Sequence, residues 1–187
     1  MLHTVQTGES AVRSLTLYGL PDGGSETEVL DSHGQPILLM PEDAARGGHL
    51  PRKAVLVFLR DRYGRICVHA SRSGKAGDAV YGMTFMCGVR ANESFEEACM
   101  RGTAEHFGMT PGQTVLVTHM PFEDSDGSIL NTAIYRAGPV WALPLSAEGE
   151  GSFLFLDEYE LKGMLESFPG MFAPVLAWGI RAGWLFA

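Results

Sequence analysis

The sequence predicts an α/β/α sandwich with a mixed central sheet, and three observations carry that prediction. Short β-rich runs alternate with helix-patterned segments, the order expected of a sheet covered by helices on both sides. Of the 187 residues, 45% are hydrophobic and 19% charged, enough apolar material for a full core without disulfide or metal staples. No low-complexity linker and no internal repeat divides the chain, so residues 1–187 read as one domain, with a core over 28–187 behind an N-terminal extension over 1–27.

The elements follow in order. Val55 to Leu59 and Ile66 to Ala70 are β-branched and apolar runs joined by the turn sequence Asp61-Arg62-Tyr63-Gly64, which predicts a hairpin or neighbouring strands. Val80 to Cys87 reads as a further strand leading into the loop Gly88 to Asn92. Ser94 to Glu97 is a Ser-x-x-Glu capping box that opens a helix, and Gly108 after Phe107 is its C-terminal stop. Val115 to Met120 and Ile129 to Arg136 read as strands separated by an acidic turn, Glu123 to Gly127. Asp157 caps the next helix and Pro174 opens the last one. Ser146 to Ser152 reads as a loop, with Trp141, Phe153 and Phe155 as core aromatics or as stacking partners for a ligand ring.

Composition narrows the function. Fourteen basic residues against 22 acidic ones give a net charge of -8, which argues against a general nucleic-acid binder. No apolar run has membrane-spanning length, since the C-terminal candidate is interrupted by Pro174 and Arg181. Cys67, Cys87 and Cys99 cannot all pair, lack zinc-ligand spacing and follow no signal peptide, so the expected compartment is the reducing cytoplasm. The basic charge is concentrated. Between Arg46 and Lys75 stand eight basic residues against one acid, Asp61. Arg60, Arg62 and Arg65 flank a turn and are expected to face water, whereas Arg52, Lys53, Arg72 and Lys75 sit at strand ends and in the following loop, where a phosphate could meet them.

The most specific pattern lies between Cys87 and Met109. Glu93, Arg101, Glu105 and Gly108 stand eight, four and three residues apart, and on a helix Arg101 and Glu105 share a face with Glu97. This segment resembles the Nudix box, which runs Gly, five residues, Glu, seven residues, then Arg-Glu-apolar-any-Glu-Glu-any-Gly-apolar. Two of the box's glutamate positions hold Gly102 and His106, and its leading glycine position holds Cys87, with Gly88 one step late. The stretch from Glu28 to Lys75 resembles the branch of the Nudix superfamily close to isopentenyl-diphosphate isomerase, in which a short N-terminal hairpin precedes the first long strand. His49, Arg52, Arg72 and Lys75 match basic positions of that branch.

The resemblance implies a Nudix-like α/β/α sandwich and a divalent-metal-dependent hydrolase of a small diphosphate-linked molecule, monomeric or homodimeric. In that reading Glu105, Arg101 and Glu93 are the catalytic set, Glu105 and His106 hold Mg²⁺ or Mn²⁺, and Arg52, Arg72 and Lys75 bind the diphosphate. A hard cation needs clustered oxygen ligands. With Gly102 and His106 in place of two glutamates, cations that accept imidazole are expected to bind better than Mg²⁺. If these positions converge, Gly102→Glu with His106→Glu would rebuild a three-carboxylate face. Two alternatives stand beside hydrolysis. One is a ligand-binding or regulatory protein that has lost the metal cluster. The other is an isomerase, disfavoured because Val89 replaces the histidine after Cys87-Gly88 and because Ile129 to Ala137 carries no glutamate. The same Glu97, Arg101 and Glu105 would also serve as a solvent-facing ion-pair stripe.

Overall fold

The computed structural model describes residues 25–71, 81–124, 127–141 and 151–186. In chain order its elements are β1 (Glu26–Leu30), β2 (Pro36–Pro41), α1 (Glu42–Gly47), β3 (Arg52–Asp61), β4 (Ile66–Ser71), β5 (Tyr81–Gly82), β6 (Phe85–Gly88), α2 (Phe95–Phe107), β7 (Gln113–Glu123), β8 (Ile129–Val140), β9 (Gly151–Leu156), α3 (Glu158–Ser167), a 3₁₀ turn (Pro169–Met171) and α4 (Pro174–Ala182). Among the described residues no helix is long and apolar enough to cross a membrane.

β3 is the axis of the molecule. Its run of Ala, Val, Leu and Phe has no polar face, as a strand buried on both sides requires. β8 runs parallel to it from Arg52 opposite Leu130 to Asp61 opposite Val140, and β6 runs antiparallel on its other side, with Ala54 opposite Gly88. β7 extends the sheet beyond β8, the β1–β2 hairpin joins at Val29 opposite Arg52, and β4 carries β5 and β9 on its two sides.

The two faces of β3 build the two halves of the core. Ala54, Leu56 and Phe58 pack with residues of α3 and α4, including Leu161, Leu165, Leu176 and Ile180. Val55, Val57 and Leu59 pack with Ala98, Cys99 and Phe107 of α2. The result is the mixed-sheet α/β sandwich predicted above. α2 begins at Ser94, whose hydroxyl accepts from the Glu97 amide while the Glu97 carboxylate accepts from the Ser94 amide, and ends at Gly108 in the left-handed conformation at φ 62°. α3 has the same reciprocal cap between Asp157 and Glu160.

Three features differ from the sequence reading. The single strand expected over Val80 to Cys87 is two short ones in different partnerships, β5 against β4 and β6 against β3. Thr84 makes the step between them, its hydroxyl accepting from the Leu59 amide at 2.9 Å and donating to the Cys67 carbonyl at 2.6 Å. β9 begins inside the stretch Ser146 to Ser152 expected to be loop, yet it pairs with β4 over its whole length and turns Phe153 toward His69 and Phe107. α1 is a short helix that the sequence did not announce, since Pro41 precedes it without a side-chain cap. Of the acidic turn, Asp124 and Gly127 close on each other, the Gly127 amide donating to the Asp124 carbonyl at 2.9 Å.

The β3–β4 turn is held by one buried carboxylate. Asp61 Oδ1 accepts the amides of Tyr63 and Arg65, each at 2.9 Å, and Oδ2 accepts the Arg65 guanidinium at 2.7 Å. Burial favours the neutral acid, but the bonds from Arg65 and Tyr63 outweigh it and hold the carboxyl below its ordinary value of 3.8. A pKa depressed in the folded state stabilises the fold above the unfolded value and loses that contribution as pH falls through the folded one. Asp61→Asn should therefore be less stable than the native chain at neutral pH. In urea titrations at stepped pH, the gap should close as pH falls below 3.8.

Candidate functional site

The residues of the box-like segment converge on one guanidinium. Arg101, in the second turn of α2, donates from Nε to Glu93 Oε1 at 2.7 Å and from Nη2 to Glu93 Oε2 at 2.9 Å. Nη2 also reaches the Gly88 carbonyl at the end of β6 at 2.7 Å, and Nη1 reaches Glu105 Oε2 at 2.9 Å. Burial works against the charge of Arg101, but its carboxylate neighbours, Glu93 first, hold its pKa above the ordinary value. The Arg101 and Glu93 side chains are 13% and 12% exposed, so removing one partner strands a desolvated charge, a loss of about 3–5 kcal/mol. Glu93, Arg101 and Glu105 are thus brought together as expected, in an arrangement that ties the loop Val89 to Ser94 to the helix and to β6.

One member of this set escaped the sequence reading. Arg90 donates from Nη2 to Glu105 Oε1 at 3.0 Å, so each oxygen of Glu105 already accepts from an arginine. The Glu93 carboxylate also accepts the Arg90 amide at 2.9 Å, closing a tight turn around Asn92, which sits at φ 62°. An acid three residues after a basic residue, with Asn between them, was the available signal.

His106 and Gly102 are placed elsewhere. Adjacent helical residues point about 100° apart, and His106 turns inward: its ring stacks on Phe85 with centroids 4.8 Å apart, and Nδ1 lies 3.0 Å from the Gly102 carbonyl. Gly102 is buried against β6. A Cβ there would stand 2.6 Å from Cys87 Sγ and 2.8 Å from the Phe85 ring. A side chain at 102 would run into Phe85 and Cys87, and position 106 points at the Phe85 ring, so Gly102→Glu and His106→Glu would not rebuild the carboxylate face expected from the spacing. Cys87 itself faces the helix, its Sγ 3.6 Å from the Ala98 carbonyl, and burial pushes the Cys99 thiol up to about 12.

Among the described residues, the donor set does not fit the divalent cation implied by the resemblance. Glu105 and His106 diverge, Glu105 is engaged by two arginines, and among the described residues no group of three or more His, Cys, Asp or Glu side chains gathers in metal-binding geometry.

Arg52, expected at a diphosphate, is 2% exposed and bonded from each of its three nitrogens. Its Nε donates to Glu42 at 3.2 Å, Nη1 to the Leu50 carbonyl at 3.3 Å and Nη2 to Asp124 at 3.4 Å. The guanidinium ties α1, the start of β3 and the β7–β8 turn together and has no face left for an anion. Arg72 and Lys75 lie outside the described residues, as does most of the stretch Ser146 to Ser152.

No protein-family model matches this chain, and no curated protein matches it. Solved structures do. DR0079 from Deinococcus radiodurans is similar at a TM-score of 0.57 and 15% identity, covering 84% of this chain and 98% of that one. The E. coli ORF135 protein is similar at a TM-score of 0.51 and 16% identity, covering 71% of this chain and 88% of that one. A MutT NUDIX hydrolase from Burkholderia pseudomallei is less similar, at a TM-score of 0.47 and 18% identity over 59% of this chain and 85% of that one. At these identities what the first two share with this chain is the fold.

The packing under Gly102 yields a sign that helix propensity alone gets wrong. Replacing a helical glycine by alanine ordinarily gains roughly 1 kcal/mol. Here the added methyl meets Cys87 and Phe85 at under 3 Å, and overpacking costs about 1–3 kcal/mol. Gly102→Ala should lower the urea midpoint, while Ala104→Gly on the exposed face of α2 should show the ordinary propensity loss in the same assay.

Proposed function

We propose that this chain is a Nudix-superfamily protein that binds a small diphosphate-linked molecule and in which the box serves as a structural clamp instead of a cation site. The observation that carries this reading is the state of Glu105, the acid retained in the metal-binding half of the box, whose two oxygens face Arg90 and Arg101. The spacing of Glu93, Arg101, Glu105 and Gly108 supports the superfamily, and the mixed-sheet α/β sandwich is the fold that this resemblance implies. The closed Phe85–Cys87–Gly102–His106 face supports binding over hydrolysis, because water activation at this helix needs a cluster of hard oxygen ligands. Arg72 and Lys75 are the proposed diphosphate contacts, on the sequence pattern alone.

Hydrolysis with Mg²⁺ or Mn²⁺ on Glu105 and His106 is the competing reading. It requires Glu105 to leave both arginines and His106 to leave Phe85. The two readings part in a single set of measurements. Calorimetric titration with a nucleoside diphosphate sugar should show binding that does not depend on Mg²⁺ and that weakens about tenfold, one charge-assisted contact, in Arg72→Gln or Lys75→Gln. Phosphate or pyrophosphate release with Mg²⁺ or Mn²⁺ that disappears in Glu105→Gln would overturn the proposal in favour of hydrolysis.

A further inference from the structure

A second cluster of arginines lies at the opposite end of β3. Ala54 pairs with Gly88 beside the box, and Arg60 stands six residues further along the strand, roughly 20 Å away at the rise of an extended chain. There a cavity of about 290 Å³ opens between the β3–β4 turn and the ends of β7 and β8, lined by Arg60, Asp61, Arg62, Gln113, Arg136 and Gly138 among others. Gly138 lets β8 approach so closely that a Cβ on it would run into the Arg60 carbonyl, which fixes the backbone from which Arg60 projects.

The charges in this cavity are unbalanced. Asp61 is its carboxylate, and both oxygens of Asp61 are taken by Arg65 and the turn amides. Arg136 donates to the neutral carbonyls of Trp184 and Leu185 at 3.2 and 3.4 Å, which orient it without neutralising it. Among the described residues, no carboxylate forms an ion pair with Arg60, Arg62 or Arg136. Burial, and then the nearby charge of Arg60, depress the pKa of Arg136. At the rim, the Arg62 guanidinium lies 4.6 Å from the Tyr63 ring centre and 5.6 Å from that of Trp141. These rings are 68% and 80% exposed and leave open faces on which an aromatic group can stack.

We propose that this cavity is a ligand site distinct from the box, taking a phosphate monoester carried on an aromatic base, with the phosphate among Arg60, Arg62 and Arg136 and the base against Trp141 or Tyr63. Forked guanidinium donors match phosphate oxygens, and exposed rings stack on a base whatever its identity. The volume suits a phosphate and its sugar, with the base at the mouth.

The test uses the full chain with AMP and inorganic phosphate as probes, read by calorimetry and tryptophan fluorescence. AMP should bind at least tenfold more tightly than inorganic phosphate and quench the fluorescence. Arg60→Gln and, on the exposed turn, Arg62→Gln should each weaken AMP at least tenfold with unchanged thermal midpoints. Trp141→Ala should weaken AMP and leave the affinity for phosphate as it was. The proposal is overturned if AMP does not bind, if both arginine variants bind it within twofold of the native chain, or if AMP and phosphate bind equally. Its outcome is separate from that of the diphosphate titration, which reads Arg72, Lys75 and Glu105.

Discussion

The bidentate pair between Arg101 and Glu93 is the interaction on which the arrangement of this protein's candidate site depends. It joins residues eight apart across a loop, and the same guanidinium reaches the last carbonyl of β6 and the next acid along the helix. One side chain thereby fixes three things at once: the path of the loop Val89 to Ser94, the distance of α2 from the sheet and the direction of Glu105. Arginine is suited to this because its planar fork offers several donors that lose little freedom per bond formed, and because it stays charged when half-buried. A lysine ammonium, with its three donors radiating from one atom, could not match the bidentate geometry on Glu93 while reaching the other acceptors.

With α2 held at that height, the composition of its inner face decides what the site can do. Gly102 permits the Phe85 ring and Cys87 to sit directly under the helix, and His106, one turn on, covers Phe85 and bonds back to the Gly102 carbonyl. These four residues form one packed unit. Each of the two departures from the acidic pattern makes sense only with the other and with the aromatic ring on β6. A carboxylate at 102 would collide with that ring, and one at 106 would abandon the stacking. The energetic consequence is a well-filled apolar contact where a polar cleft would otherwise require solvent or cations to satisfy its oxygens.

The basic segment of the chain divides into groups with different fates. Arg52 is consumed in a buried network with Glu42 and Asp124 that orients the hairpin and the acidic turn. Buried ion pairs of this kind add little net stability over an apolar packing of the same shape, yet they are costly to break, so they act mainly to specify which segments meet. Arg65 is consumed by Asp61 within the turn. Arg60 and Arg136 come from strands far apart in sequence and face one cavity because β3 and β8 are parallel neighbours. A census of charge along the chain treats all of these as equivalent; their partners separate them.

The sequence by itself determined the elements whose signals are local. Ser94 and Asp157 start their helices, Gly108 ends one, Asp61 to Gly64 turns a hairpin, and the apolar run Val55 to Leu59 announces a strand, because caps, turns and hydrophobic periods act within a few residues. The four-residue step from Arg101 to Glu105 likewise foretold that these two share a helix face. The tertiary structure alone decided what those residues face. That Gly102 lies under Phe85, that His106 turns inward, that Glu105 is held by Arg90 as well as Arg101, and that Arg52 is buried while Arg60 joins Arg136 all follow from which strands and helices are brought side by side. The partner of a charge is set by the three-dimensional neighbourhood that desolvates it, and no spacing along the chain records that neighbourhood.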